Sequence, residues 1–125
     1  VYSAVENAGI LENTLFIVIA DHGGTNDENC KGSHGGWTDE EKYVTFAATG
    51  KGINKTEIKE MNIRDLAAIV LYAMGINPPE FYETGWTSQI PEGLFTDYKG
   101  EYLDISHLTG VAPRISKIHH TSELV

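Results

Sequence analysis

Six apolar residues, Leu15 to Ala20, follow one another without interruption near the start of the chain. This run is rich in β-branched and aromatic side chains and lacks the alternation of a half-exposed strand. This pattern predicts a strand that is buried on both faces, as in a parallel α/β sheet. Asp21 and His22 follow directly, and Gly23-Gly24 allows a sharp turn after them.

Two helices and a second strand are predicted around this run. Val1 to Gly9 is expected to be the end of a helix, and Tyr43 to Thr49 a strand. Asn62 and Asp65 form a capping-box-like pattern, which makes capping the expected role of Asp65. The helix that follows ends at Gly75, and its apolar residues recur at helical spacing on one face: Leu66, Ile69, Val70 and Ala73.

The segment between the two strands carries the candidate chemistry. Ligands bind at the carboxyl ends of strands in open α/β sheets, which is where Asp21 and His22 are expected. A second histidine, His34, follows in the glycine-rich sequence Gly32 to Gly36. One Asp and two His are suitable ligands for zinc or a similar ion. The alternative is that Asp21 forms a turn and that the histidines are ordinary surface residues.

The remaining side chains of this long polar loop have expected roles of their own. Trp37 is expected to pack the loop onto the domain, with lining of a pocket as the alternative. Asp39-Glu40-Glu41 is expected to form a solvated turn, in which one carboxylate could support a ligating histidine. Cys30 is the only cysteine, so no intrachain disulfide is possible. It is expected to be an incidental loop residue, with a thiolate ligand as the alternative.

Composition and charge narrow the class of protein. The chain has 125 residues, enough for one domain, and a 41% hydrophobic content is sufficient for a core. Its net charge of −9 argues against a nucleic-acid partner, which needs a basic surface. No run of about 18 apolar residues exists, so no membrane span is expected. His107, His119 and His120 are interpreted as parts of a surface tail.

The motifs resemble the C-terminal part of the alkaline phosphatase superfamily. Val-Ile-Ala-Asp-His-Gly-Gly and the later Ser-His-Gly-Gly-Trp-Thr-Asp-Glu-Glu-Lys are similar to its phosphodiesterase/nucleotide pyrophosphatase, sulfatase and phosphoethanolamine transferase branches. The similarity extends through residues 43–53, 63–71 and 75–79. It departs from the family pattern at Thr45, where family members often have Pro, and at Ala68-Ile69, where they often have Pro-Thr. Roughly residues 1–87 are covered.

The resemblance implies a fragment of an alkaline phosphatase-like α/β sandwich, with a mainly parallel sheet and flanking helices. Residues 1–87 would be the C-terminal segment of the catalytic domain. Residues 88–125 would be an extension that packs on the domain or on a partner, and an oligomer through this extension is possible. The resemblance alone suggests a periplasmic or extracellular location.

The resemblance also implies a site with two metal ions, most often zinc, with Mn, Mg or Ca as alternatives. By position, Asp21 and His22 would bind one ion, and His34 would lie at the second ion or contact the substrate. The family's nucleophilic Thr or Ser and an Asp-x-x-x-His pair precede this region, and residues 1–20 do not supply them. No catalytic residue is therefore assigned within the chain, and the upstream portion of a longer protein is its expected partner.

Three functions follow as alternatives. The first is the C-terminal part of a metal-dependent hydrolase or transferase that acts on phosphate or sulfate esters, inactive by itself. The second is a degenerate or truncated, non-catalytic domain of the same fold. The third is a simple metal-binding or interaction module.

Overall fold

The computed structural model describes residues 1–26, 28, 31–77 and 87–101. Within these residues the chain combines short helices with antiparallel strands, so its class is mixed α/β. Its helices and strands, in chain order, are α1 (Tyr2–Asn7), β1 (Leu15–Ile19), β2 (Thr25–Asn26), β3 (Gly32–Ser33), α2 (Asp39–Lys42), β4 (Phe46–Gly50) and α3 (Leu66–Ala73). Single 3₁₀ turns precede β1 (Leu11–Asn13) and α3 (Ile63–Asp65).

The first strand forms where the apolar run predicts it, but its sheet differs from the expected one. β1 pairs antiparallel with β4, in a register that sets Leu15 opposite Gly50 and Ile19 opposite Phe46. Neither of the two strand pairs among the described residues is parallel. The connection explains the difference, because its described residues form the β2–β3 ribbon and the four-residue α2, and not the full helix that usually links parallel strands.

The two faces of β1 have different surroundings. Leu15, Ile17 and Ile19 pack against the core, whereas Phe16 and Val18 point to the opposite face. Tyr2 of α1 covers Phe16, with ring centroids 5.2 Å apart. Val18 remains 66% exposed, so the prediction of burial on both faces is wrong for the described part of the chain.

The core lies between β4, α3 and the segment after α3. Its buried side chains are Phe46, Ile58, Met61, Ala68, Ile69, Ile90, Leu94 and Phe95. Three of them come from residues 88–101, the part of the predicted C-terminal extension that the structure describes. An isolated bridge between Ile53 and Phe95 joins this segment to the turn after β4.

The start of α3 has the predicted capping box. Asn62 accepts the backbone N–H of Arg64, and Asp65 Oδ2 accepts the N–H of Asn62 at 2.7 Å. Asp65 is a buried structural carboxylate, which confirms the capping role expected for it. The helix face is partly different from the prediction, since Ala68 and Ile69 are buried whereas Val70 and Ala73 are exposed.

Several predictions fall on residues outside the described part of the chain. They concern the thiol of Cys30 and the histidines of the tail, which are His107, His119 and His120. In the part of the chain that the structure describes, no helix is both long and apolar enough to cross a membrane.

Candidate metal centre

The two histidines of the candidate site lie side by side. The imidazole rings of His22 and His34 are stacked, with centroids 4.5 Å apart and an angle of 30° between their planes. His22 follows the end of β1, and His34 follows β3. The two histidines were expected to converge, and their rings are in contact.

A short antiparallel ribbon places His34 beside the end of β1. β2 pairs with β3, so that Thr25 lies opposite Ser33 and Asn26 opposite Gly32. Continuing this register by one residue sets Gly24 opposite His34. The long polar loop thus has regular structure of its own, formed by residues close to the two glycines that follow His22.

The tautomer of His22 is fixed by a backbone contact. Its Nδ1 lies 2.7 Å from the carbonyl oxygen of Gly23, which can only accept a hydrogen bond. Nδ1 therefore carries the proton in the neutral ring, and the lone pair is on Nε2. Histidines that bind metal ions commonly donate the other ring N–H in this way, which orients the ring and makes the ligand nitrogen more basic.

Asp21 lies next to the free nitrogen of His22. Its Oδ2 is 3.7 Å from Nε2, and its Oδ1 accepts the backbone N–H of His22 at 2.9 Å. Two ligand atoms of a tetrahedral zinc ion, each about 2.0 to 2.1 Å from the metal, lie about 3.3 Å apart. The spacing of Oδ2 and Nε2 is close to that value, and both side chains are open to solvent. The spacing is therefore similar to that of two ligands of one ion.

His34 does not complete a group of three ligands. Among residues 1–26, 28, 31–77 and 87–101, no three or more His, Cys, Asp or Glu side chains are grouped so that they could hold a metal ion. His34 contacts His22 through its ring face, and a nitrogen ligand must instead point its lone pair in the ring plane at the metal. The structure thus brings all three predicted residues together, but only Asp21 and His22 have ligand-like spacing.

The residues after His34 differ most from the sequence-based expectation. Trp37 is 79% exposed, so the prediction that it packs the loop down is wrong. The chain turns at Thr38 into α2, and the Trp37 ring has the Lys42 Nζ 5.9 Å from its centroid. The indole of Trp37 therefore lies in solvent, next to the N-terminus of α2.

Glu41 is the site residue that the sequence reading placed wrongly. Asp39 and Glu40 are exposed, as a solvated turn requires, but Glu41 is only 7% exposed. Its carboxylate accepts hydrogen bonds from Gly36 N, Thr38 N and Thr38 Oγ1, all within 3.2 Å. The Thr38-x-x-Glu41 spacing of a capping box is the signal in the sequence that identifies this burial.

Comparisons with known proteins give no relative for this chain: no family model, curated protein or solved structure matches it significantly. The resemblance described above therefore depends on the motifs themselves.

Proposed function

We propose that this chain is the C-terminal part of a metal-dependent enzyme that hydrolyses or transfers phosphate or sulfate esters. Asp21 and His22 would hold one divalent ion, most often zinc, and His34 would serve the second ion or the substrate. The observation that carries the proposal is the geometry of His22: its Nδ1 donates to Gly23, and its Nε2 lies 3.7 Å from the Asp21 carboxylate. A histidine that caps a turn or lies on a plain surface needs neither contact.

When bound, the metal ions would supply positive charge that lowers the pKa of a hydroxyl nucleophile and neutralises the transferring group. The residues of this chain would hold the ions and orient the histidine rings. Gly23 fixes the ring of His22 through its carbonyl oxygen, and the β2–β3 ribbon brings His34 beside it. With a net charge of −9, the chain depends on metal ions more than on Lys and Arg to attract an anionic ester.

The uncovered face of β1 supports a longer protein with an alkaline phosphatase-like sandwich. Val18 is 66% exposed in the middle of an apolar strand, and among the described residues β1 pairs only with β4. Upstream residues that add strands and helices to this edge and face would bury Val18. They would also supply the nucleophile, which no Ser or Thr near the site replaces convincingly.

The test compares the 125-residue chain with the longer protein encoded by the same reading frame. Each is assayed with zinc, manganese or magnesium against aryl phosphate monoesters and diesters and an aryl sulfate. We expect turnover only in the longer protein. There, Asp21→Asn should lower kcat/KM at least about 100-fold, beyond the roughly 10- to 100-fold typical of residues that only support a metal ligand.

Asp39→Asn is the matched control, because Asp39 is an exposed carboxylate in the same loop region. It should leave kcat/KM unchanged. A longer protein that is inactive toward every ester but still binds zinc would favour the alternative, a non-catalytic domain of the same fold. Chelator-sensitive turnover by the 125-residue chain alone would overturn the assignment of the nucleophile to another segment.

A further inference from the structure

Glu41 lies at the point where the two histidine-bearing segments meet. It is the third residue of α2, a helix of four residues whose other acidic side chains, Asp39 and Glu40, face solvent. Carboxylates are rarely buried unless they have partners, and three donors within 3.2 Å surround this one. Two of these donors belong to Thr38, which also forms the N-cap of α2.

The third donor ties Glu41 to the His34 segment. Gly36, two residues after His34, donates its backbone N–H to Glu41 Oε1 at 3.1 Å. The fit is close, since a Cβ added at Gly36 would overlap both carboxylate oxygens of Glu41. The glycine at this position therefore lets the carboxylate lie directly against the backbone.

The main chain of Glu41 reaches the His22 segment at the same time. Its carbonyl oxygen accepts the N–H of Gly23 at 2.9 Å, one residue after His22. Gly23 also packs so tightly on the end of α2 that an added Cβ would overlap the carbonyl oxygen of Glu40. One residue thus contacts both segments, with its backbone on one side and its side chain on the other.

We infer that Glu41 is the positioning residue of this site, which holds the His34 segment against the His22 segment through Gly36 N–H and Gly23 N–H. It acts by fixing where the two imidazoles lie. Its importance for metal chemistry rests on the proposed function, whereas its effect on the rings does not.

The ionisation state of Glu41 is consistent with this role. The Thr38 backbone N–H is the main cause that lowers the pKa of the Glu41 carboxyl, and the Gly36 N–H, the Thr38 hydroxyl and nearby His34 lower it further, against the opposing effect of burial. The side chain is therefore a carboxylate at neutral pH. An amide in its place would turn an NH₂ group toward one set of backbone donors.

The test uses the full 125-residue chain and two readouts. The first is the nuclear Overhauser effect between the ring protons of His22 and His34, which needs no metal. The second is calorimetric titration with Zn²⁺ alone. We expect Glu41→Gln to abolish the contact between the rings and to raise the Kd for zinc about tenfold. The methyl signals of Ile69, a buried core residue, should stay in place.

Glu40→Gln is the matched control, because it removes an exposed carboxylate from the same turn and should change neither readout. If Glu41→Gln does not fold, Gly36→Ala decides the question, since it keeps the carboxylate but displaces it; it should also separate the rings. Rings that remain in contact in the folded variant would overturn the inference. Absence of zinc binding by the wild-type chain would instead contradict the proposed function and leave the ring readout valid.

Discussion

Asp65 Oδ1 accepts the backbone N–H of Gln89 at 3.0 Å, across a separation of 24 residues. The other oxygen of the same carboxylate accepts the N–H of Asn62. Asp65 is 1% exposed, so both bonds are shielded from water. A single side chain thus begins α3 and attaches the segment after α3 to it.

Asp65→Asn should lower the free energy of unfolding by about 2 to 3 kcal/mol, because an amide leaves one buried N–H facing a donor instead of an acceptor. Urea unfolding followed by circular dichroism measures the loss. Asp39→Asn, at an exposed position, should change the stability by less than about 0.5 kcal/mol. An Asp65→Asn variant that is as stable as the wild type but binds zinc differently would show that capping is not the main role of Asp65.

Zinc binding by the isolated chain should be weak, since only Asp21 and His22 have ligand-like spacing and zinc sites normally have four ligands, or three and a water. Calorimetry should detect binding in the wild-type chain that is absent from the Asp21→Asn, His22→Ala double variant. Asp39→Asn is again the control. Binding that persists in the double variant would assign the zinc to other residues, such as Cys30 or the tail histidines.

Gly23→Ala should disturb the site strongly, although it adds only one methyl group. The added methyl group would overlap the carbonyl oxygen of Glu40 and come within 2.8 Å of that of Tyr43. We expect a loss of about 1 to 3 kcal/mol in unfolding free energy, as for other overpacked positions, together with separation of the His22 and His34 rings.

Gly32→Ala serves as the matched control for that variant, because a Cβ there has no neighbour within 4 Å. It should leave the ring contact and the stability nearly unchanged. If the two alanine variants behave alike in the ring-contact measurement, the close approach of Gly23 to α2 does not position His22.

Ionisation of Tyr72 should lower the free energy of unfolding at high pH. Burial, followed by the hydrogen bond to the Asp97 carboxylate and its negative charge, raises the pKa of the Tyr72 hydroxyl above 10.0. The unfolded chain therefore loses this proton more readily than the folded chain. The stabilisation from the neutral phenol is complete below the unfolded pKa and is lost as pH rises toward the higher folded pKa.

Tyr72→Phe should accordingly flatten the decline in unfolding free energy above pH 10, measured by denaturant titration at a series of pH values. Asp97→Asn should give an intermediate slope, because it removes the charge but leaves the burial, which is the largest cause. An alkaline slope that is identical in wild type and Tyr72→Phe would show that other groups control it.

Local signals in the sequence were sufficient for several elements of this fold. The apolar run gives β1, and the Asn62 and Asp65 spacing gives the start of α3. Gly9 and Gly75 both have positive φ where helices were predicted to end. These features depend on residues only a few positions apart, so the pattern contains the information that determines them.

Features that depend on distant contacts were harder to predict. The direction of β4 relative to β1 and the exposure of Val18 depend on what packs beside the strand, which periodicity does not encode. Trp37 was expected to pack the loop onto the domain, but it precedes the N-cap of α2 and is 79% exposed. Glu41 looked solvated because it stands among charged residues, whereas its position in the capping box decides its burial.

At the site, the sequence predicted which residues meet but not how they meet. The glycine-rich segments around His22 and His34 allowed close approach, and the rings are in contact. The stacking itself follows from the register of β2 with β3 and from the contacts of Glu41, both of which involve backbone groups. Backbone hydrogen bonds between separate segments leave little trace in the residue types.

The segment that closes the core also sets when the protein can fold during synthesis. Ile90, Leu94 and Phe95 are buried against residues that lie much earlier in the chain. Asn54 donates its backbone N–H to the carbonyl oxygen of Leu94, and Thr96 donates its own to that of Gly52. A nascent chain that has only just exposed α3 outside the ribosome still lacks one wall of its core. Until residue 96 emerges, Phe46 and Ile69 lack the side chains that cover them in the folded chain, and apolar surface exposed in this way favours aggregation.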